Sequence, residues 1–388
     1  MIEKRLIDFP HFFAHRLRRE VKELYLSVAI LNFAVAAVQI FEPMYLYTLG
    51  YSVAQIILFY LGVYGVYICI MPLGAKFASR FGFERSMLVS TPFYVLYYVA
   101  LFALPQMPWL FFAAPLMFAL QKTFYWPGYH SDFAKHSDER EQAREISTLA
   151  VISNAVFILG PLIGGFIISL TSFETLFIVV IVLIIVSNLP LLTSRESVDP
   201  QPFSYTKAYR RLFRKHHRRK FVAYFGYGEE LIVMTIWPVF IYLIISNFAT
   251  IGAVVALAVL ATSLVTLFVG RLSDKHRKHP IIRFGTVMYS LTWWLRYFAS
   301  STGHVLLIDT LSRVAKDMID IPLIAITYFR ARKYNIMKGV LFLEMALVIG
   351  KLFALVATLA VFTMFGMTTG FLFAFILAGT MSLLYNYL

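Results

Sequence analysis

The sequence predicts an all-α integral membrane protein with twelve transmembrane helices in two six-helix bundles. The 388-residue chain is 60% hydrophobic and only 14% charged, with a mean hydropathy of +0.73. Soluble globular proteins carry about 25% charged residues. The apolar residues also form runs of about 20, the length of a helix that crosses a bilayer. Because lipid offers the backbone no hydrogen bonds, these runs are predicted to be helices.

The apolar runs define six predicted spans on each side of one long polar connection. The spans are residues 24–48, 53–75, 86–104, 108–128, 146–170, 175–193, 221–246, 249–270, 284–300, 303–328, 339–365 and 368–387. We divide the chain into a cytoplasmic interfacial segment (1–22), an N-terminal six-helix bundle (23–193), a cytoplasmic linker (194–220) and a C-terminal six-helix bundle (221–388).

The distribution of positive charge predicts how the chain is oriented. Thirty of the 35 Lys and Arg residues lie in the N-terminal segment or in the loops after spans 2, 4, 6, 8 and 10. Such loops face the cytoplasm. Both termini are therefore predicted to be cytoplasmic, and we expect a multi-pass protein of the bacterial inner (plasma) membrane. The basic linker is assigned to the surface of the lipid bilayer, and no nucleic-acid partner is expected.

The sequence lacks the motifs of several other function classes. It contains no phosphate-binding glycine loop, and its single cysteine, Cys69, lies in an apolar run. No grouping of His, Cys and carboxylate residues has the spacing of a metal site. We therefore expect a monomer that is not an enzyme and that binds no cofactor or metal.

The most polar predicted span, 303–328, has its charges on one face. At about 100° per residue, one stripe of that helix holds Asp309, Arg313, Lys316, Asp317 and Asp320. A charge exposed to lipid costs from about 3 to over 10 kcal/mol, so this stripe is predicted to face protein or trapped water. Ion pairs within the helix, such as Asp309 with Arg313, are an alternative, purely structural explanation.

Two loops at equivalent positions in the two halves resemble motif A of the major facilitator superfamily. The matching residues are Arg80, Gly82 and Arg85 after span 2, and Gly270, Asp274 and Lys275 after span 8. Ser79 replaces the acidic residue of the first copy, and Arg277 stands where the second copy usually has glycine. The resemblance implies that these residues form a cytoplasmic gate. Alternatively, these loops are basic only because cytoplasmic loops of membrane proteins are rich in Lys and Arg.

A second resemblance lies in span 5. Gly160, Pro161, Gly164 and Gly165 resemble the core of motif C, which marks proton-coupled antiporters in this superfamily. Small residues four apart also let two helices approach closely. Helix packing therefore remains an alternative explanation.

The resemblance covers the whole chain and implies a transporter in which spans 1, 4, 7 and 10 line a central cavity. The candidates for a substrate or proton pathway are Asn32, Glu42, Lys122, Tyr227, Glu229, Glu230, Asp309, Arg313, Lys316, Asp317, Asp320, Glu344 and Lys351. Glu229, Glu230 and Asp317 are the proton-site candidates. Lys122, Arg313 and Lys316 could hold an anion, and Tyr227, Tyr125 and Trp126 could stack on a ring or cation. Arg296 is expected to extend to the membrane interface.

These observations predict a secondary active transporter that exports a small organic solute by alternating access, in antiport with protons. The predicted spans contain seven acidic and five basic residues. Without Arg296 the acidic surplus is three, which favours a proton or an organic cation as counter-charge. A nutrient symporter or facilitator of the same fold remains an alternative. So does a membrane sensor or scaffold that transports nothing.

Overall fold

The computed structural model describes residues 19–136, 142–193, 205–212, 214–275, 278–334 and 336–387, and within these ranges it is helical without a β-strand. The first set of helices comprises α1 (Arg19–Val38), α2 (Phe41–Thr48), α3 (Val53–Phe81), α4 (Phe83–Ala103), α5 (Leu110–His136), α6 (Gln142–Leu170) and α7 (Phe173–Ser187). Residues 1–18 of the predicted interfacial segment lie outside the described ranges.

The linker region contributes the short helix α8 (Tyr205–Leu212). The second set comprises α9 (Arg218–Phe225), α10 (Glu229–Leu231), α11 (Trp237–Ile244), α12 (Phe248–Lys275), α13 (Lys278–Leu295), α14 (Thr302–Tyr334) and α15 (Ile336–Ser382). The turn Gly226–Gly228 and the π-helical turn Ile232–Ile236 connect α9, α10 and α11. Each predicted span overlaps one or more of these helices.

Local sequence explains where several helices begin and end. α3 begins at a capping box, in which the Gln55 backbone N–H donates to Ser52 Oγ and the Ser52 N–H donates to Gln55 Oε1. α15 continues through predicted spans 11 and 12 with a break at Gly366, where φ is 78° and ψ is −172°. Only glycine adopts this conformation without strain, so the change of direction falls there.

Six stretches of the described chain are long and apolar enough to cross a membrane. They are Leu26–Thr48, Val53–Phe81, Phe83–Ala103, Arg218–Ile244, Phe248–Val265 and Met337–Tyr387. The α14 helix is not among them, in keeping with its charged residues. The count of twelve spans stays a prediction.

The two helix sets meet where α6 packs against α12 and where α3 and α5 pack against α15. Of the four residues of the motif C resemblance, Pro161 and Gly165 face α12 at such a contact, whereas Gly160 and Gly164 face α1 of the same helix set. A Cβ on Gly164 would lie 1.9 Å from the Ala37 carbonyl oxygen on α1, and one on Gly165 would lie 2.4 Å from the Phe248 oxygen on α12. Glycines are therefore required here for backbone-to-backbone packing.

The first copy of the motif A resemblance forms the tight connection between α3 and α4. Gly82 ends α3 with φ 111° and ψ 158°, a backbone conformation that favours glycine. Arg80 and Arg85 on either side of it are exposed. The side chains of the second copy, including Gly270, Asp274 and Lys275, lie outside the described part of the chain.

The linker helix α8 is attached to α3 at a proline. Pro72 has no N–H, so the carbonyl of Ile68 has no helical donor. The Tyr209 hydroxyl donates to that oxygen at 2.7 Å, and the Tyr205 hydroxyl donates to the oxygen of Cys69. Burial raises the pKa of Tyr209 above its ordinary value, so its hydroxyl stays a donor. Helix α8 also contacts α15, and it therefore spans the junction of the two helix sets.

Candidate functional site

A cavity of about 280 Å³ lies between the two helix sets. Helices α3 and α5 provide Tyr64, Tyr67, Lys122, Trp126 and His130. The opposite wall consists of Tyr227, Glu230, Met234, Asp320, Leu323, Leu343, Glu344, Leu347 and Lys351. Ligand pockets combine apolar and aromatic walls with a few polar groups at fixed positions. This cavity is the candidate site.

Lys316 of α14 is the centre of the polar cluster at one wall. Its Nζ lies 2.6 Å from Glu229 Oε1, 3.6 Å from Asp320 Oδ1 and 3.9 Å from Glu230 Oε1. The same ammonium donates to the Tyr385 hydroxyl oxygen at 2.6 Å. One cation therefore interacts with three carboxylates.

Glu229 and Glu230 are adjacent in sequence but have different surroundings. The fully buried Glu229 carboxylate accepts hydrogen bonds from the hydroxyls of Tyr289 at 2.7 Å and Tyr385 at 2.8 Å. Glu230 lines the cavity, and its Oε2 lies 2.8 Å from Lys351 Nζ. Only the second carboxylate of this pair is therefore part of the cavity wall.

Glu344 of α15 connects the two helix sets. One carboxylate oxygen lies 3.1 Å from His130 Nε2 on α5, and the other accepts a hydrogen bond from the Tyr67 hydroxyl on α3 at 3.1 Å. Both partners belong to the first set of helices. If the two sets separate on this side, both contacts have to break.

Lys122 of α5 lies in the cavity wall among aromatic rings. Its Nζ is 4.4 Å from the ring centroid of Phe118, 5.2 Å from that of Tyr64 and 5.7 Å from that of Trp126. The residue is only 8% exposed. Within the described part of the chain, Lys122 forms no ion pair with a carboxylate.

Glu42 of α2 is held by tyrosines instead of by a cation. The hydroxyls of Tyr98, Tyr97 and Tyr60 donate to its carboxylate at 2.7, 3.1 and 3.3 Å. The residue is buried and is not among those that line the cavity. The first helix set thus contains its own carboxylate site, enclosed by phenol groups.

The end of the charged stripe at Asp309 is part of the bundle interior. Asp309 is 4% exposed, its Oδ2 lies 2.7 Å from Arg313 Nε, and its Oδ1 accepts a hydrogen bond from the Trp237 indole. The sequence analysis gave this ion pair within the helix as a purely structural explanation for Asp309 and Arg313, and the structure contains it.

The expectation that Arg296 extends to the membrane interface is wrong. The residue is 2% exposed, and its guanidinium lies 3.7 Å from the ring centroid of Trp293 and 4.6 Å from that of Trp237. It also donates to Ser312 Oγ at 2.8 Å. A flat guanidinium stacks well between indole rings, so this cation is stabilised inside the bundle.

The structure brings some of the predicted pathway residues together and separates others. The cavity wall contains Lys122, Tyr227, Glu230, Asp320, Glu344 and Lys351. Glu229 and Lys316 support this wall from behind. The other five predicted pathway residues neither line the cavity nor belong to this pair: Asn32, Glu42, Asp309, Arg313 and Asp317. Trp126 lines the cavity but its neighbour Tyr125 does not.

Sequence reasoning missed three lining residues with polar side chains, His130, Tyr64 and Tyr67. It also missed four apolar ones, Met234, Leu323, Leu343 and Leu347. The sequence contains a pattern that could have identified His130: Lys122, Trp126 and His130 are four residues apart and so form one stripe on α5. Nothing comparable distinguishes the two α3 tyrosines, because tyrosine is abundant throughout the chain.

The fold and cavity agree with the comparisons with known proteins. The sequence profile of the Major Facilitator Superfamily matches residues 24–250. The chain belongs to this superfamily. A crystal structure of a variant of the nucleoside transporter NupG is similar, with a TM-score of 0.71 and 13% sequence identity, over 95% of this chain and 98% of that one. No curated protein sequence matches the chain.

Membership of the Major Facilitator Superfamily identifies the chain as a multi-pass membrane protein and a secondary transporter of a small molecule. It is a transporter and not an enzyme. The similarity to NupG, at 13% identity, shows the shared fold.

Proposed function

We propose that the protein moves a small organic solute by alternating access around the cavity, and that this movement is coupled to protons. The proposal includes twelve transmembrane spans in the two bundles 23–193 and 221–388, with both termini on the cytoplasmic side of the inner membrane. The overlap of every predicted span with a helix supports the count. The bias of positive charge supports the orientation.

The observation that carries proton coupling is an excess of carboxylates in the polar cluster around Lys316, beside the cavity. The three carboxylates of Glu229, Glu230 and Asp320 share two ammonium groups, those of Lys316 and Lys351. An uncompensated charge away from water is unfavourable, so the cluster is neutral when one of its carboxylates binds a proton.

Asp320 is the carboxylate best placed to bind this proton. It lines the cavity, whereas Glu229 is fully buried behind the wall. Its distance from Lys316 Nζ, 3.6 Å, is also longer than the 2.6 Å of Glu229. The hydroxyl of Tyr227 donates to Asp320 Oδ1 at 2.9 Å. This assignment differs from the sequence-based proton candidates, which were Glu229, Glu230 and Asp317.

The direction of transport rests on the resemblance to motif C, which favours export in antiport with protons. The glycines of this motif pack against α1 and α12, and this contact explains their presence without reference to direction. Export is therefore proposed on the resemblance alone.

The test uses purified protein in liposomes that enclose a pH-sensitive dye. Nucleosides, aromatic carboxylates and aromatic amines are added as solutes, the first because of the similar NupG structure. We expect one class to cross the membrane and to move protons. Asp320→Asn should keep solute exchange and lose proton movement, while Glu174→Gln on α7, outside the cavity, should behave as wild type.

Three results would contradict the proposal. Full proton coupling in the Asp320→Asn variant would exclude that residue as the proton site. Solute flux without proton movement in the wild-type protein would indicate a facilitator, and no flux of any class would favour a sensor or scaffold.

A further inference from the structure

We propose that the transported solute is an organic anion with an aromatic or other flat apolar part, and that Lys122 binds its anionic group. This inference rests on the proposed function, because it assigns the substrate class of the same cavity. The inference gives the sign of the solute's charge, which follows neither from the family nor from the similar structure.

The first argument is the state of Lys122. Its ammonium is nearly buried and borders the cavity. Among the described residues it forms no ion pair or hydrogen bond, and it lies over the ring faces of Phe118, Tyr64 and Trp126. Ring faces compensate a desolvated ammonium only in part, and an anion does so better. Glu42 interacts with Lys122 electrostatically, but it is held by three tyrosine hydroxyls and forms no ion pair with the lysine.

The second argument is that the carboxylates of the cavity wall already have partners. Glu230 is paired with Lys351 at 2.8 Å, and Glu344 is held by His130 at 3.1 Å. Asp320 interacts with Lys316 and accepts a hydrogen bond from a tyrosine hydroxyl. A cationic solute would have to displace a lysine or histidine from one of these carboxylates. An anion at Lys122 displaces no charged group.

The third argument concerns the shape of the site around this lysine. Tyr64 and Trp126 line the cavity next to the ammonium and present flat apolar surfaces. Met234 and Leu347 belong to the opposite wall and have no polar group. A solute with its anionic group at Lys122 and a ring against these surfaces satisfies both parts of the site. The volume of about 280 Å³ limits it to a small molecule.

The structure also explains why the sequence favoured a cation. The surplus of acidic over basic residues in the predicted spans does not tell which of these side chains line the cavity and which have partners elsewhere in the bundle. Glu42 is enclosed by tyrosines, and Asp309 is paired with Arg313 outside the cavity lining. These acids do not reach the solute. Among the described residues that line the cavity, Lys122 is the charged side chain that forms no ion pair.

The experiment compares three solutes that share one skeleton and differ in charge. The probes are 3-phenylpropionate, 3-phenylpropylamine and 3-phenylpropanol, and binding to the purified full-length protein is measured by isothermal titration calorimetry. We expect the propionate to bind at least about tenfold tighter than the alcohol and the amine, since a charge-assisted contact in a desolvated site has that size. Lys122→Met should reduce the affinity for the propionate to that for the alcohol.

Two further variants separate loss of the site from loss of the fold. Lys122→Arg keeps the positive charge and should retain the preference for the anion. Lys207→Met removes the same charge from the exposed helix α8 and should bind all three probes as the wild type does. Folding of every variant is checked by its elution as a single species in detergent.

These binding results test the charge of the solute, and they do not test alternating access. Equal binding of the three probes, tighter binding of the amine, no binding of the propionate, or an unchanged anion preference in Lys122→Met overturns it. Alternating access is measured independently from distances at the two ends of the helix bundle, so it can hold when the solute class is wrong.

Discussion

Glu344 Oε1 on α15 lies 3.1 Å from His130 Nε2 on α5, and this side-chain pair joins the two helix sets beside the cavity, together with the hydrogen bond from Tyr67 to the same carboxylate. Close by, Ser131 Oγ lies 3.7 Å from Met337 Sδ, between the same two helices. We call this region the α5–α15 end. Opening of this end requires that the contacts of Glu344 with His130 and Tyr67 break.

The opposite end of the bundle is closed by aromatic contacts. Tyr47 on α2 and Tyr242 on α11 have ring centroids 6.2 Å apart, and Tyr51 stacks on Phe111 near the start of α5. Ser131 is twenty residues further along α5, which corresponds to about 30 Å. We call this second region the α2–α11 end, and alternating access requires that the two ends open in turn.

The first prediction concerns Glu344→Gln. The amide can still accept from Tyr67 but cannot form an ion pair with His130, so we expect the α5–α15 end to open more often. Cysteines introduced at Ser131 and Met337, with Cys69 replaced by alanine, should then cross-link more slowly. Glu174→Gln is the control, and an equal cross-linking rate in Glu344→Gln would contradict the role of the pair.

The second prediction concerns the ion pair of Glu230 and Lys351. Removing one partner leaves an uncompensated charge. Because the Glu230 side chain is 26% exposed, we expect a cost below the roughly 3–5 kcal/mol of a fully buried pair. Glu230→Gln and Lys351→Met should therefore each lower the melting temperature in detergent. The double variant should recover part of the loss, and a loss equal to the sum of the two singles would show that the groups do not interact.

The third prediction concerns the contact of α6 with α12. A Cβ on Gly252 would lie 2.3 Å from the Pro161 carbonyl oxygen, so Gly252→Ala forces the two helices apart at the α2–α11 end. We expect slower cross-linking of cysteines placed at Tyr47 and Tyr242. The matched control is Gly65→Ala on α3, where a Cβ meets no atom within 4 Å. Equal rates in both variants would exclude this contact as part of the closure.

The fourth prediction concerns the attachment of α8 to α3. Tyr209→Phe removes the donor to the Ile68 oxygen, and such a bond contributes about 0.5–1.5 kcal/mol. We expect α8 to detach more often and the native thiol of Cys69 to react faster with a maleimide. Tyr387→Phe, at an exposed tyrosine near the C-terminal end, should leave the rate unchanged. The attachment would be refuted by identical rates in all three proteins.

The sequence predicted the helical class and a helix over each apolar run, because these depend on hydropathy and on helical periodicity within one segment. Lys316 illustrates the limit. Its position in the stripe was predictable, but its contacts with Glu229 and Tyr385 join three distant parts of the chain. Periodicity carries no information about which helices become neighbours.

The same limit explains the error at Arg296, and it also applies to the charge count that favoured a proton or an organic cation. The expected position of Arg296 at the interface followed from its place near a span end, whereas the indole rings that enclose it come from α11 and α13. The partners of Glu42 likewise come from α3 and α4. Counting charges along the chain cannot distinguish an acid that is enclosed by tyrosines from one that faces a solute.

The most direct test of alternating access is the distance between spin labels at both ends of the bundle, measured by double electron–electron resonance in lipid nanodiscs. One pair of labels is placed at Tyr47 and Tyr242 and the other at Ser131 and Met337, in the background that lacks Cys69. We predict that each pair has a short and a long distance, and that the long population grows at one end as it shrinks at the other when pH or 3-phenylpropionate concentration is changed. A single unchanging distance at both ends, or simultaneous lengthening of both, would contradict the account.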